Sequence, residues 1–175
     1  MKINFKNKNK PFKIIQKKYF DKRGYFQEIY LNKIINLDIK FTAIAKSKKN
    51  VIRGLHFQLK NQQSKLIYVV QGKILDVVMN LKSNSENFGK VSKFILSEGD
   101  ILFVPKHYAH GYECLSNNCT ILYHLEKYRD TKYESGISYS DKRVINKWFT
   151  KKPILSKRDK FLQDFIDFKK KYKSL

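Results

Sequence analysis

The 175-residue chain is 42% hydrophobic and 14% aromatic, which supports one packed domain and excludes a disordered polymer. No run of about 18 apolar residues occurs, so no membrane-spanning helix is expected, and the Lys- and Asn-rich stretch 1–12 lacks the apolar centre of a secretory leader. The formal charge of +22 is mostly Lys, with Arg confined to positions 23, 53, 129, 143 and 158; spread over the whole length, this excess reads as solvated surface, and no nucleic-acid or membrane partner is expected.

Residues 1–12 are expected to form a flexible or strand-exchanged N-terminal arm. Lys13–Lys18 and Tyr25–Tyr30 read as strands around the turn Asp21–Gly24, and Phe41–Ala45 reads as another. Within Arg53–Gln58, strict strand alternation puts Gly54, His56 and Gln58 on one face and Arg53, Leu55 and Phe57 on the other. Three hairpins are then expected: Leu66–Val70 with Ile74–Leu81 about Gly72, Val91–Leu96 with Ile101–Pro105 about Glu98–Asp100, and Tyr112–Leu115 with Thr120–Leu125 about Ser116–Asn118. Short strands at this spacing argue for an all-β sandwich or barrel, not βαβ units. Cys114 and Cys119 are expected to be free thiols, as in a reduced, cytoplasmic setting. Phe161, Leu162, Phe165, Ile166, Phe168 and Tyr172 follow helical spacing and predict an amphipathic C-terminal helix over 159–173, with Asp159 at its N-cap. No Pro-, Gly- or Ser-rich linker divides the chain, so 1–175 is read as a single domain.

Several side chains have the right chemistry for a site. His56 is a candidate base on an inward strand face, and Lys65 opens an apolar strand where its ammonium can enter a cavity. Tyr123, on an apolar strand, offers a proton-donating hydroxyl. His107 and His110 share a turn that could suggest a metal. However, metal-binding jelly rolls of the cupin type use His-x-His followed closely by Glu, and around His56 there is neither a second His nor an acid, so no metal is expected.

Taken in order, the motifs are Asp21-x-Arg23-Gly…Glu28, Val51-Ile-Arg-Gly-Leu-His-Phe-Gln58, Lys65-Leu, Gly72…Asp76-Val-Val, Phe88-Gly-Lys, Pro105…Ala109-His-Gly111, Leu122-Tyr123 and Leu155-Ser-x-x-Asp159. Across residues 13 to 160 this closely resembles the dTDP-4-dehydrorhamnose 3,5-epimerase family. The resemblance implies an all-β, cupin-type jelly roll (a double-stranded β-helix) with a C-terminal helix, working as a homodimer without metal or organic cofactor. It implies epimerisation at C3, C5 or both of a nucleotide-linked 4-keto-6-deoxy hexose. His56 would be the base, Asp159 its dyad partner, Tyr123 the acid on the opposite face, and Lys65 the group at the C4 oxygen. Arg23 and Arg53 would bind the diphosphate. Phe26, Glu28 and Tyr128 would lie at the nucleotide, with Gln58 and His110 also at the substrate.

Some positions depart from the family pattern. Where the family carries a polar Gln-x-Asn-x-Ser segment ahead of the Arg-Gly-Leu-His block, this chain has Phe41, Ala43 and Ala45. His107 stands in place of a Gly, and Tyr128–Arg129 in place of an aromatic pair. The alternatives are an epimerase of another nucleotide sugar (GDP- or CDP-linked), a ketoisomerase moving the keto group between C3 and C4, a metal-dependent cupin enzyme, and a non-catalytic sugar- or nucleic-acid-binding jelly roll.

Overall fold

The computed structural model describes residues 8–32, 35–173 and 175. The expected N-terminal arm falls outside the described residues over 1–7. The described residues form the strands β1 (Phe12–Ile14), β2 (Lys18–Asp21), β3 (Gly24–Gln27), β4 (Phe41–Lys48), β5 (Ile52–Gln58), β6 (Lys65–Gln71), β7 (Lys73–Asn80), β8 (Val91–Ser97), β9 (Ile101–Val104), β10 (Tyr108–Cys114), β11 (Asn118–Leu125) and β12 (Glu134–Gly136), then one α-helix, α1 (Phe165–Tyr172). Two five-stranded sheets, ordered β1-β9-β6-β11-β4 and β12-β5-β10-β7-β8, make the jelly roll; β2 and β3 pair only with each other.

This topology corrects all three expected hairpins. β6 and β7 belong to different sheets, as do β8 and β9, and β10 and β11. Each short turn is a corner that carries the chain from one sheet to the other. At the first corner Gly72 has φ +85°, and a Cβ there would stand 2.4 Å from the Asn118 carbonyl oxygen, so only glycine fits. The true hairpin here joins β7 to β8 through the longer 81–90 connection. Alternation alone could not separate corner from hairpin, because both leave apolar faces on either side of a tight turn. The segment 13–30 also divides differently: only Lys18–Asp21 and Gly24–Gln27 form the hairpin, while Phe12–Ile14 pairs with β9.

The near-complete burial of β7 reflects two cores. Ile74 and Val78 point between the sheets, against Ile67, Val69, Leu102 and Ile121. Leu75, Val77 and Met79 point outward, where Trp148, Phe165 and Phe168 cover them. Burying each such side chain contributes about 1.5–3 kcal/mol.

The C-terminal helix begins later than its periodicity suggests. Asp159–Phe161 is a single 3-10 turn, Leu162 is extended, and Gln163 bridges to Ile137, so α1 spans only Phe165–Tyr172 and Phe161 is left 80% exposed. Asp159 therefore caps no α-helix. The first N–H of α1, that of Phe165, instead donates to Asp141 Oδ2 at 2.8 Å.

Candidate active site

The site begins at an irregularity in β5. His110 is paired with His56, but Tyr112 is paired with Arg53, so three steps along β5 match two along β10. The extra residue is a β-bulge, and it reverses the phase of the strand. Arg53 and His56 consequently line the same cavity, which corrects the alternation that set them on opposite faces. Gly54 permits this with φ +112°; a Cβ there would lie 2.6 Å from both Gly111 Cα and the His110 carbonyl oxygen.

The cavity, of about 280 Å3, opens between the sheets. β5 supplies Arg53 and His56, β6 supplies Lys65, β10 supplies His110, and β11 supplies Tyr123. A larger cleft of about 440 Å3, lined by residues such as Lys10, Asn80, Asn84 and Tyr108, contains none of these groups. Among the described residues, no cluster of three or more His, Cys, Asp or Glu is arranged as metal donors would be.

His56 Nε2 lies 2.6 Å from Oδ1 of the buried Asp159. Burial pushes the Asp159 carboxyl up, but hydrogen bonds from His56, Ser156 and the Gly54 N–H outweigh this and hold it below the usual value. An ionised carboxylate only accepts, so Nε2 carries the proton and Nδ1 is left as the basic nitrogen. Lys65 Nζ donates to the His56 carbonyl oxygen at 3.4 Å. Burial lowers its pKa to about 8, against the opposing pull of Glu134 and Asp76. Burial raises the Tyr123 phenol well above its ordinary value, helped by Tyr112 and Asp76, so it stays protonated.

Beside them, His110 Nε2 meets Asp76 Oδ2 at 2.7 Å, and its ring stands edge-on to Tyr123 with centroids 6.1 Å apart. Burial lowers the His110 pKa despite Asp76, with Lys65 and His56 adding to the effect. Arg53 is fixed by donating from Nε to Ser47 Oγ at 3.0 Å and from Nη2 to the Lys46 carbonyl at 3.1 Å.

Not every expected residue reaches the cavity. Arg23, Phe26 and Glu28 lie on or just after the β2–β3 hairpin and are exposed; Arg23 pairs locally with Asp21 at 2.6 Å. Gln58 is buried and does not line the cavity. Its Nε2 donates to the carbonyls of Asn61 and Tyr128, and its Oε1 accepts from Asp130 N–H at 2.6 Å, so it anchors the loop bearing Tyr128. Tyr128 is exposed and stacks on Phe41 at the rim, with centroids 6.2 Å apart.

Three charged lining residues were missed. Glu134 on β12 accepts from both Arg129 and Arg158 through one oxygen, Oε2. Burial raises its pKa, but the two guanidiniums more than reverse this and hold it below the usual carboxylate value. The available signal was the rarity of Arg in a Lys-rich chain, which marks Arg129 and Arg158 as much as Arg53.

Comparison with known proteins bears on the family and the fold. Residues 9–167 match the family model described as dTDP-4-dehydrorhamnose 3,5-epimerase. The chain is 34% identical over 164 residues to the dTDP-4-dehydrorhamnose 3,5-epimerase of Shigella flexneri, covering 88% of this chain and 91% of that one. The Bacillus anthracis enzyme of that name, solved with TDP and PPi bound, superposes with a TM-score of 0.86 at 32% identity, covering 91% of this chain and 96% of that one. The Legionella pneumophila enzyme, solved in complex with dTDP-4-keto-L-rhamnose, gives a TM-score of 0.82 at 29% identity, covering 88% and 87%. With a jelly roll, a carboxylate-held histidine and a match over nearly its whole length, the chain belongs to the dTDP-4-dehydrorhamnose 3,5-epimerase family and is an isomerase-class enzyme.

Proposed function

We propose that this protein epimerises C3, C5 or both of a dTDP-linked 4-keto-6-deoxy hexose, inversion at both carbons converting dTDP-4-dehydro-6-deoxyglucose to dTDP-4-dehydrorhamnose. The observation that carries this reading is the placement of a base and an acid on opposite sheets of one cavity: His56 on β5 and Tyr123 on β11. A sugar ring between them meets a proton acceptor on one face and a proton donor on the other, which is what inversion at carbon requires.

The chemistry follows from carbonyl acidity. C3 and C5 both flank the C4 carbonyl. His56 Nδ1 removes a proton from one of them, and the C–H electron pair moves to form an enolate with its charge on the C4 oxygen. The Lys65 ammonium stabilises that charge; a positioned donor of this kind is worth about 2.7–4 kcal/mol. Tyr123 then delivers its proton to the same carbon from the opposite face. His56 loses a proton to solvent and Tyr123 regains one, so each turnover leaves a solvent hydrogen on the inverted carbon. Asp159 acts on the base by holding it in the reactive tautomer. No step needs a metal or an organic cofactor.

Arg53, fixed by Ser47 and the β4 backbone, is the diphosphate contact within one chain. The protein acts as a homodimer, with β2–β3 as the shared element. This hairpin joins neither main sheet and exposes Tyr19, Phe20, Tyr25 and Phe26, a surface suited to a second copy. Docked there, it would carry Arg23 to the partner's diphosphate and Phe26 and Glu28 to the partner's nucleotide, alongside Tyr128. The buried free thiols of Cys114 and Cys119 support a cytoplasmic setting.

The test is solvent exchange. Incubation with dTDP-4-keto-6-deoxyglucose in deuterated water should place deuterium at C3, C5 or both and give an inverted product. Absence of exchange on dTDP-, GDP- and CDP-linked 4-keto sugars overturns the reading, and a 3-keto product would make the enzyme a ketoisomerase.

A further inference from the structure

A second, much smaller cavity, of about 10 Å3, adjoins the one that holds His56 and Tyr123. Gln62, Gln63, Lys65 and His107 line it, and two of these, Gln63 and Lys65, line the larger cavity as well. Gln62 Oε1, Gln63 Oε1 and His107 Nδ1 are all buried, and none makes a hydrogen bond among the described residues. The other polar side chains on these walls are engaged elsewhere. Gln58 anchors the Tyr128 loop, and the Tyr108 hydroxyl donates to the Asn9 carbonyl at 3.4 Å.

Buried polar atoms are costly to leave unpaired, so three of them around one space point to a shared partner. A space of about 10–15 Å3 holds one water molecule, which makes up to four hydrogen bonds. Its two hydrogens suit the Gln62 and Gln63 carbonyl oxygens, which only accept. Its lone pairs suit two N–H donors, His107 Nδ1–H and the Lys65 ammonium. Lys65 has three donors, and its protein acceptor among the described residues is the His56 carbonyl at a long 3.4 Å. The C4 oxygen of the substrate takes a second donor, and the water takes the third. His107 has φ +69°, a conformation that glycine adopts freely and a larger residue only at a cost. The imidazole is kept there despite that cost, with its ring also facing the Leu175 backbone.

We propose that Gln62, Gln63 and His107 hold one ordered water as a fixed partner of the Lys65 ammonium, which makes Gln62 and His107 positioning residues for the group that stabilises the C4 enolate. The ammonium sits on a flexible four-carbon stem, and one long hydrogen bond alone would aim it poorly. A water locked between three protein groups gives it a second fixed bond and leaves the remaining donor directed at the substrate. The effect on catalysis rests on the epimerase reading, through the role of Lys65; the water site itself does not.

The test has two arms. A high-resolution crystal structure of the wild-type protein should show one water within about 3.2 Å of Gln62 Oε1, Gln63 Oε1 and His107 Nδ1; a structure without it overturns the proposal. The second arm is kinetic, with dTDP-4-keto-6-deoxyglucose as substrate. Gln62→Met keeps the length of the side chain and removes the acceptor. It should lower kcat about three- to tenfold, the effect of one hydrogen bond. KM should hold, because Gln62 does not line the substrate cavity. The alkaline limb of the rate should move to lower pH, since the ammonium loses a partner while Glu134 and Asp76 stay in place. Gln62→Glu should restore kcat and move the limb to higher pH. A purely structural role would lower the melting temperature and leave the limb where it is, so an unmoved limb in both folded variants overturns the proposal. No turnover by the wild-type protein overturns the epimerase reading instead, and the crystal structure then judges the water site alone. The same structure decides the question if neither variant folds.

Discussion

Asp159 follows His56 by 103 residues in the chain, yet its Oδ1 lies 2.6 Å from the imidazole Nε2. This contact leaves His56 with one committed nitrogen and one free one. Replacing Asp159 by Asn keeps the shape but lets the amide donate to Nε2, which favours the wrong tautomer. We expect exchange at both carbons to fall by about 10²–10⁴-fold with the fold retained. The contact also carries a pH signature. The folded pKa of Asp159 is depressed, so its stabilisation is present above the unfolded carboxyl value and is lost as pH falls through the folded one. The melting-temperature gap between wild type and Asp159→Asn should therefore close on acidification; a gap that holds constant down to strongly acidic pH would contradict this account.

His56→Ala and Tyr123→Phe should separate by outcome. Loss of the base should abolish deuterium entry at both C3 and C5. Loss of the phenol should leave proton removal and wash-in on the His56 face while slowing delivery on the opposite face, so that deuterium appears without net inversion. Equal loss of every exchange step in the two variants would refute the division of labour.

Lys65 predicts an alkaline limb. With its pKa lowered to about 8, the side chain is cationic below that pH and neutral above it. Turnover should decline as pH rises through about 8, while the Tyr123 phenol remains protonated throughout that range. Lys65→Met should remove the limb along with most of the activity. Lys65→Arg should push the limb to higher pH.

His110 predicts an effect on stability. Its folded pKa is depressed, so below about 6.5 the unfolded chain takes up a proton that the folded chain resists. The contribution is present above the unfolded value and is lost as pH falls through the folded one. Thermal melts should show lower stability on acidification across this window, and His110→Gln should flatten that slope.

Gly54→Ala tests the bulge. The added methyl would meet Gly111 Cα and the His110 carbonyl oxygen at 2.6 Å, and both are backbone. Neither can swing aside, so we expect a loss of several kcal/mol in stability, read from denaturant midpoints. Any folded fraction should show impaired exchange, because Arg53 and His56 would no longer share a face.

The strands were legible because their apolar runs are short and bounded by turn residues. Their partners were not. Gly72, Glu98–Asp100 and Ser116–Asn118 each mark a tight turn, and nothing local says whether the next strand returns beside the last or crosses to the facing sheet. The bulge was hidden for a related reason: one extra residue against β10 is a property of the pair, not of β5 alone. His56, Lys65 and Tyr123 could be named from motif order, and the structure brings them to one cavity. Asp159 was ambiguous between cap and dyad partner until Asp141 proved to supply the helix contact. Arg129, Glu134 and Arg158 gave weak signals because each matters through the other two, at separations of 5 and 24 residues.

The position of Asp159 also has a consequence for biosynthesis. It is held in place by the chain beyond β12, which bridges to Val51, just ahead of β5, through Ile154 and to Ile137, just after β12, through Gln163. A nascent polypeptide can close both sheets while its imidazole still lacks a carboxylate. Proton transfer would then follow the closing of the jelly roll, switched on only when the segment that carries Asp159 folds back beneath it.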